Sequence, residues 1–280
     1  MLKPTCPSLF APTEIKTGKC CIARPTNQPR INKKVLAEIA NNGLTGEITM
    51  NKKSIKALCL SVLPVLLMTT AHAETLCVGD FNQDRVDTDL IVPEGSTCTI
   101  TVGISIFGNL IVEAGGTLET EISGFNPLTI YGSLRSYEAS YITLGNAKVF
   151  GDVILNGTSK NGISGRGVAL SSLTVIGDIE IYGYEITIDD IRAVRVDFSY
   201  IGGNLRVESN AVRNINLFDN RVGKDIIVKR NDALVVIQVE GNTAGNSIVC
   251  KGNLAVPTNG EESRPNFAPK GVEGQCADLI

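Results

Sequence analysis

Seven short segments of this 280-residue chain align on one step, a Gly followed by Asn or Asp and then Leu, Ile or Val, with a few departures. They are GNLIV at 108–112, GSLRS at 132–136, GDVIL at 151–155, GDIEI at 177–181, GNLRV at 203–207, KDIIV at 224–228 and NSIVC at 246–250. One column reads Leu110, Leu134, Val153, Ile179, Leu205, Ile226, Ile248. Two residues on, a second reads Val112, Ser136, Leu155, Ile181, Val207, Val228, Cys250, so Ser136 is the sole polar exception. Residues two apart on a strand share a face, so both columns point into one interior. Successive steps are 24, 19, 26, 26, 21 and 22 residues. A repeat this short cannot bury its own apolar face, so the copies must stack.

A second apolar strand precedes most copies, at Leu128/Ile130, Leu173/Val175, Val196/Phe198, Ile215/Leu217 and Ile237/Val239. Asparagines recur in register at Asn210, Asn231 and Asn253, and again at Asn220 and Asn242. Stacked amides hydrogen-bond along a ladder, and asparagine tolerates the left-handed conformation of tight turns. The pattern predicts an all-β fold: one right-handed parallel β-helix of about seven coils, three short strands each. A strict hexapeptide rhythm, the mark of the left-handed form, is absent. A β-sandwich is the competing arrangement, but it has no use for an in-register asparagine ladder.

Upstream, residues 50–73 read as a secretory signal peptide. Lys52, Lys53 and Lys56 form a basic start, an apolar run covers 57–68, and Ala71, His72 and Ala73 supply a small-x-small cleavage site before Glu74. The run is too short for a transmembrane helix and no stop-transfer pattern follows. Residues 1–49 then read as a disordered, mis-annotated extension, with Met50 as the true start. The expected organisation is 1–49, signal 50–73 and β-helix 74–280, with an N-terminal cap at 74–100 and a C-terminal strap at 251–280. Residues 1–73 carry 10 Lys/Arg against 3 Asp/Glu, a net of +7; residues 74–280 carry 16 against 26, a net of −10. An acidic body repels phosphate backbones, so nucleic acid is not an expected partner. Export to a secreted or periplasmic location is.

Eight cysteines fall to four after cleavage, Cys77, Cys98, Cys250 and Cys276. Two stand at the start of the repeats and two at the end. The pairs Cys77–Cys98 and Cys250–Cys276 are favoured, because the alternatives would span several coils. The solenoid is expected to run from near Cys98 to near Cys250, with each end closed by its own disulfide. The stretch LCVGDFNQDRVDTDLIVPEGSTCTI at 76–100, the GNLxV copies and the VCKGN and GVEGQC segments of the ending resemble a group of secreted bacterial right-handed parallel β-helix proteins of uncharacterised function. The resemblance implies fold and export, and no activity.

The candidate chemistry is sparse. Asp189 and Asp190, with Arg192 and nearby Asp197, resemble part of a polygalacturonase site, but the histidine and Arg-x-Lys partners of that family are missing, and residues 74–280 contain no histidine. Asp80, Asn82 and Asp84 open like an EF-hand calcium loop, yet Arg85 stands where glycine is needed and Ile91 where a bidentate acid is needed. All six tyrosines lie between 131 and 200, and Tyr182, Tyr184 and Tyr200 are the candidates for stacking on sugar rings. Asn156, Gly157 and Thr158 form a glycosylation sequon with no expected role in a bacterium. The expectation is a non-enzymatic structural or surface-interaction protein contacting a polysaccharide or cell-surface component, with no cofactor; calcium at Asp80, Asn82 and Asp84 is the alternative. A polysaccharide lyase or hydrolase is the alternative.

Overall fold

The computed structural model describes residues 74–120, 127–157, 167–185, 193–260 and 263–280. They form an all-β, right-handed parallel solenoid of about eight turns with no helix. Three parallel sheets run along it. The first stacks ten strands: Thr75–Leu76, Leu90–Val92, Leu110–Val112, Leu134–Tyr137, Val153–Asn156, Ile179–Tyr182, Leu205–Glu208, Ile226–Lys229, Ser247–Lys251 and Gly271–Gly274. The second stacks eight, from Gly79–Phe81 to Asp232–Glu240, and the third eight, from Arg85–Val86 to Thr243–Ala244.

Coils begin at Thr75, not near Cys98. Residues 74–100 hold the first coil and the start of the second, because Thr75–Leu76 pairs with Leu90–Val92. These two strands lack the Gly-Asn or Gly-Asp step, which keeps them out of the repeat alignment. Within 251–280, Gly271–Gly274 adds a last strand to the first sheet, while Thr258 and Phe267 bridge to the second and third.

The register of the first sheet follows the expected columns: Leu110, Leu134, Val153, Ile179, Leu205, Ile226 and Ile248 are Cα partners in succession. All are fully buried, each apolar side chain contributing about 1.5–3 kcal/mol by leaving water. The single "second strand", however, is two different sheets. Leu128, Ile130 and Val175 belong to the third sheet, whereas Val196, Ile215, Leu217, Ile237 and Val239 belong to the second. Both sheets alternate apolar residues, and variable turns blur their spacing. Phe198 is not core at all: it sits exposed at a corner with φ of 49°.

The corners explain the asparagines differently from expectation. The left-handed residues are the ones just before, including Ser209, Asp219 and Arg230 at φ of 56°, 51° and 52°, and Gly241 and Gly252. The asparagine that follows turns its amide inward. Asn210, Asn231 and Asn253 donate from Nδ2 in series at 3.0, 3.0 and 3.2 Å, ending on Gln275 Oε1. Asn220 and Asn242 do the same at 3.0 and 3.1 Å, ending on Asn266 Oδ1. Each amide also donates to a main-chain carbonyl of the preceding coil, as Asn231 does to Val207 at 2.9 Å. These bonds satisfy buried backbone groups that the bend takes out of the ladder. A third ladder runs through the repeat step itself, where the main-chain N–H of Asn109, Asp178, Asn204 and Ser247 donates to the side chain one coil earlier, Asp89, Asp152, Asp178 and Asp225. Here only an acceptor is needed, so aspartate serves as well as asparagine.

Both expected disulfides are present, with Cα–Cα distances of 5.4 Å for Cys77–Cys98 and 5.3 Å for Cys250–Cys276. They fit an oxidising compartment. Among the described residues no helix is long and apolar enough to cross a membrane; the signal segment 50–73 lies outside them. Arg264 ties the last residues to the rod through Asp219 and through Glu240, at 3.2 Å for the latter.

Candidate functional site

The tyrosines do not form one row. A coil encircles the rod, so neighbours in sequence land on different faces. Tyr137 and Tyr182 lie on the outer face of the first sheet, Tyr141 on the second, and Tyr131 and Tyr200 on the third-sheet side. Tyr184 is interior and fully buried, so it contacts no glycan. Its ring covers Gly157, where any β-carbon would collide with it, and its hydroxyl lies 3.5 Å from Ser136 Oγ. That contact accounts for the one polar residue in the core columns.

Burial pushes the Tyr184 phenol well above its ordinary range, an effect its contact with Ser136 only partly offsets. The folded state therefore keeps a proton that the unfolded state releases above roughly pH 10. Stability from this group is full below that pH and declines as pH rises beyond it. A Tyr184→Phe variant should lose less stability than the parent between neutral pH and about pH 11, measured by urea denaturation at each pH. Equal losses in the two proteins would remove Tyr184 as the cause.

Asp189, Asp190 and Arg192 lie outside the described residues. Their neighbour Asp197 is buried, with Oδ2 accepting from Arg195 Nε and Nη2 at 3.1 and 2.5 Å and Oδ1 unpartnered. Asp80, Asn82 and Asp84 are exposed on the first coil, and among the described residues no three His, Cys, Asp or Glu side chains gather in a way that could hold a metal ion.

Sequence reasoning missed what the first sheet assembles around Tyr182. Along one outward column Tyr137, Asn156, Tyr182, Glu208 and Lys229 are successive partners. In the neighbouring column Arg135, Ile154, Glu180 and Arg206 are successive partners. Glu180, Ile181, Tyr182, Arg206 and Glu208 line a cavity of about 220 Å³. Arg206 lies between the two acids, Nε 3.7 Å from Glu180 Oε1 and Nη1 4.0 Å from Glu208 Oε1. Arg230 holds the other oxygen of Glu208 at 3.0 Å. The buried Arg206 Nε has no hydrogen-bond partner, since 3.7 Å is an ion contact beyond hydrogen-bond reach. A guanidinium between two carboxylates, beside a tyrosine ring at the surface, suits a polyhydroxylated ligand. The signal was readable as the residues between and after the two core columns.

The third sheet carries a second feature. Phe107 and Tyr131 stack at 4.6 Å and 8°, and Tyr131 and Phe150 at 5.1 Å and 4°. Arg85 covers the Phe107 ring at 4.3 Å, and Lys148 the Phe150 ring at 4.5 Å. Ring faces are thus occupied by one another or by cations, and only edges meet solvent. Starting the repeat alignment one residue earlier would have exposed the column, since these rings precede Gly108, Gly132 and Gly151.

No protein family, curated protein or solved structure matches the chain.

Proposed function

We propose that this chain is an exported, non-enzymatic β-helix that contacts a polysaccharide through the outer face of its first sheet. The observation that carries the reading is that Tyr137 and Tyr182 stand in one outward column, two coils apart, beside the cavity lined by Glu180, Arg206 and Glu208. At about 4.8 Å per coil the two tyrosines stand roughly 10 Å apart along the rod. Asn156 separates them, so neither ring is stacked on the other. Two spaced aromatic platforms with polar groups between them suit successive sugar rings of a linear chain. The signal-like segment 50–73, the disulfides and the resemblance to secreted bacterial β-helices support a secreted or periplasmic location.

Affinity electrophoresis against acidic and neutral polysaccharides tests the reading. At least one should retard the protein, and Tyr182→Ala should weaken that retention about tenfold, the equivalent of losing one aromatic contact. Retardation by none, or unchanged retardation of the variant, would sink it. Glu180 and Glu208 flanking Arg206 support a second reading, a polysaccharide-degrading enzyme. Release of new chain ends during incubation would favour that reading over simple binding.

A further inference from the structure

We infer that the outer face of the third sheet docks a second copy of this chain, with the two rods antiparallel. The outward column of this face begins at Asp87 and continues Phe107, Tyr131, Phe150, Ile176, as shown by main-chain bonds from each N–H to the preceding coil. It then changes character to Gly202, Gly223, Gly245. The first part is a ridge of exposed large apolar side chains, and the second is bare backbone. At Gly223 and Gly245 any β-carbon would run into the carbonyl of the glycine one coil earlier, so the trough cannot be filled from within. A continuous exposed apolar ridge on a soluble protein marks a contact surface.

Ridge and trough are arranged to fit each other. A two-fold axis lying in the face, parallel to the strands and passing through the coil of Ile176, keeps each column opposite itself and reverses the order of the coils. Phe150 then faces Gly202, Tyr131 faces Gly223, Phe107 faces Gly245, and Ile176 meets its own copy. This is the reciprocity an isologous interface requires.

The fit of ridge to trough selects a second copy as the occupant, and charge selects the register. Outward positions on this sheet hold Arg85, Lys148 and Arg221, and the carboxylate of Asp87 is tied to Arg85 at 2.6 Å, so two copies meet only where these cations are kept apart. In the neighbouring column Lys148, Thr174, Tyr200 and Arg221 are in succession. With the axis at Ile176, Lys148 faces Tyr200 and Thr174 faces itself. Moving the axis half a coil would also seat ridge in trough, but it would set Lys148 against Arg221, a like-charge contact that costs affinity. Eight coils make a strip about 38 Å long, which would bury roughly 1,200 Å² in total, the low end for specific interfaces. A dimer with a Kd on the order of micromolar is the expected strength.

Sedimentation velocity on the full chain across the micromolar range tests this, independently of any glycan. Ile176 is 51% exposed, so substitutions there should leave the thermal melt unchanged. Ile176→Glu and Ile176→Lys should each weaken the dimer roughly 100-fold by opposing like charges across the axis, and an equimolar mixture of the two should restore it to within about tenfold of the parent. A parent chain that stays monomeric at about 100 µM would overturn the proposal, as would an Ile176→Glu chain that dimerises normally or a mixture that stays monomeric. Should either variant fail to fold, Thr174→Glu and Thr174→Lys give the same test at the adjacent self-opposed position.

Discussion

Replacing Asn242 by leucine is expected to lower the melting temperature by about 10 °C or more, although the new side chain fits the column. Space is not the obstacle. Leu128 and Leu173 occupy the same inward position in earlier coils and are buried there. The loss is of hydrogen bonds. Asn242 Nδ2 donates to Leu217 O at 2.8 Å and to Asn266 Oδ1 at 3.1 Å, while its Oδ1 accepts from the main-chain N and the Nδ2 of Asn220, both at 3.0 Å. Leucine would leave several of these groups buried and unpaired, at about 1–3 kcal/mol each. Two or three orphans amount to roughly 3–6 kcal/mol, and each kcal/mol moves a domain of this size by about 2–4 °C. Thermal denaturation followed by circular dichroism measures this. A shift under about 3 °C would mean the ladder contributes little beyond packing.

Replacing Cys276 by serine is expected to loosen one end of the rod without melting the rest. The bridge to Cys250 spans 26 residues, so its loss returns about 3 kcal/mol of chain entropy to the unfolded state. Each coil contacts only its neighbours, and the damage should stay local. Amide hydrogen exchange should therefore speed up in Gly271–Gly274 and Ser247–Lys251, while Leu134–Tyr137 exchanges as before. The same substitution leaves Cys250 unpaired, so a Cys250→Val, Cys276→Ser double variant separates loss of the bridge from thiol chemistry. Uniform acceleration along the chain would show that the solenoid unfolds as one unit. No acceleration would show that the bonds from Arg264, Asn266 and Gln275 close the end by themselves.

Much of the architecture was legible because the seven first-sheet strands from Leu110–Val112 to Ser247–Lys251 are three to five residues long and alternate. Leu110 to Ile248 form one column in the sequence, and their pairing in the structure is that column. The first coil was not legible, since Thr75–Leu76 and Arg85–Val86 are two residues each and carry no Gly-Asn step. The asparagines stack as expected, but Ser209, Asp219 and Arg230 rather than the asparagines take the left-handed conformation. A residue adjacent to a bend and a residue at the bend look alike in a sequence.

The candidate site was less legible. Tyr182 is a candidate from the sequence alone, yet Glu180, Arg206 and Glu208 carry no motif there, and Tyr184, a candidate for sugar contact, lies within. By itself the sequence determined the two inward columns of the first sheet and how those copies stack, which follow from strand alternation and a period of about 23 residues, and the cysteine pairs, which follow from their places at the two ends. Only the tertiary structure decided which outward residues are neighbours. Residues such as Glu180 and Arg206, or Phe107 and Tyr131, meet along the rod axis at sequence separations set by turns of unequal length, and those turns carry no periodic signal.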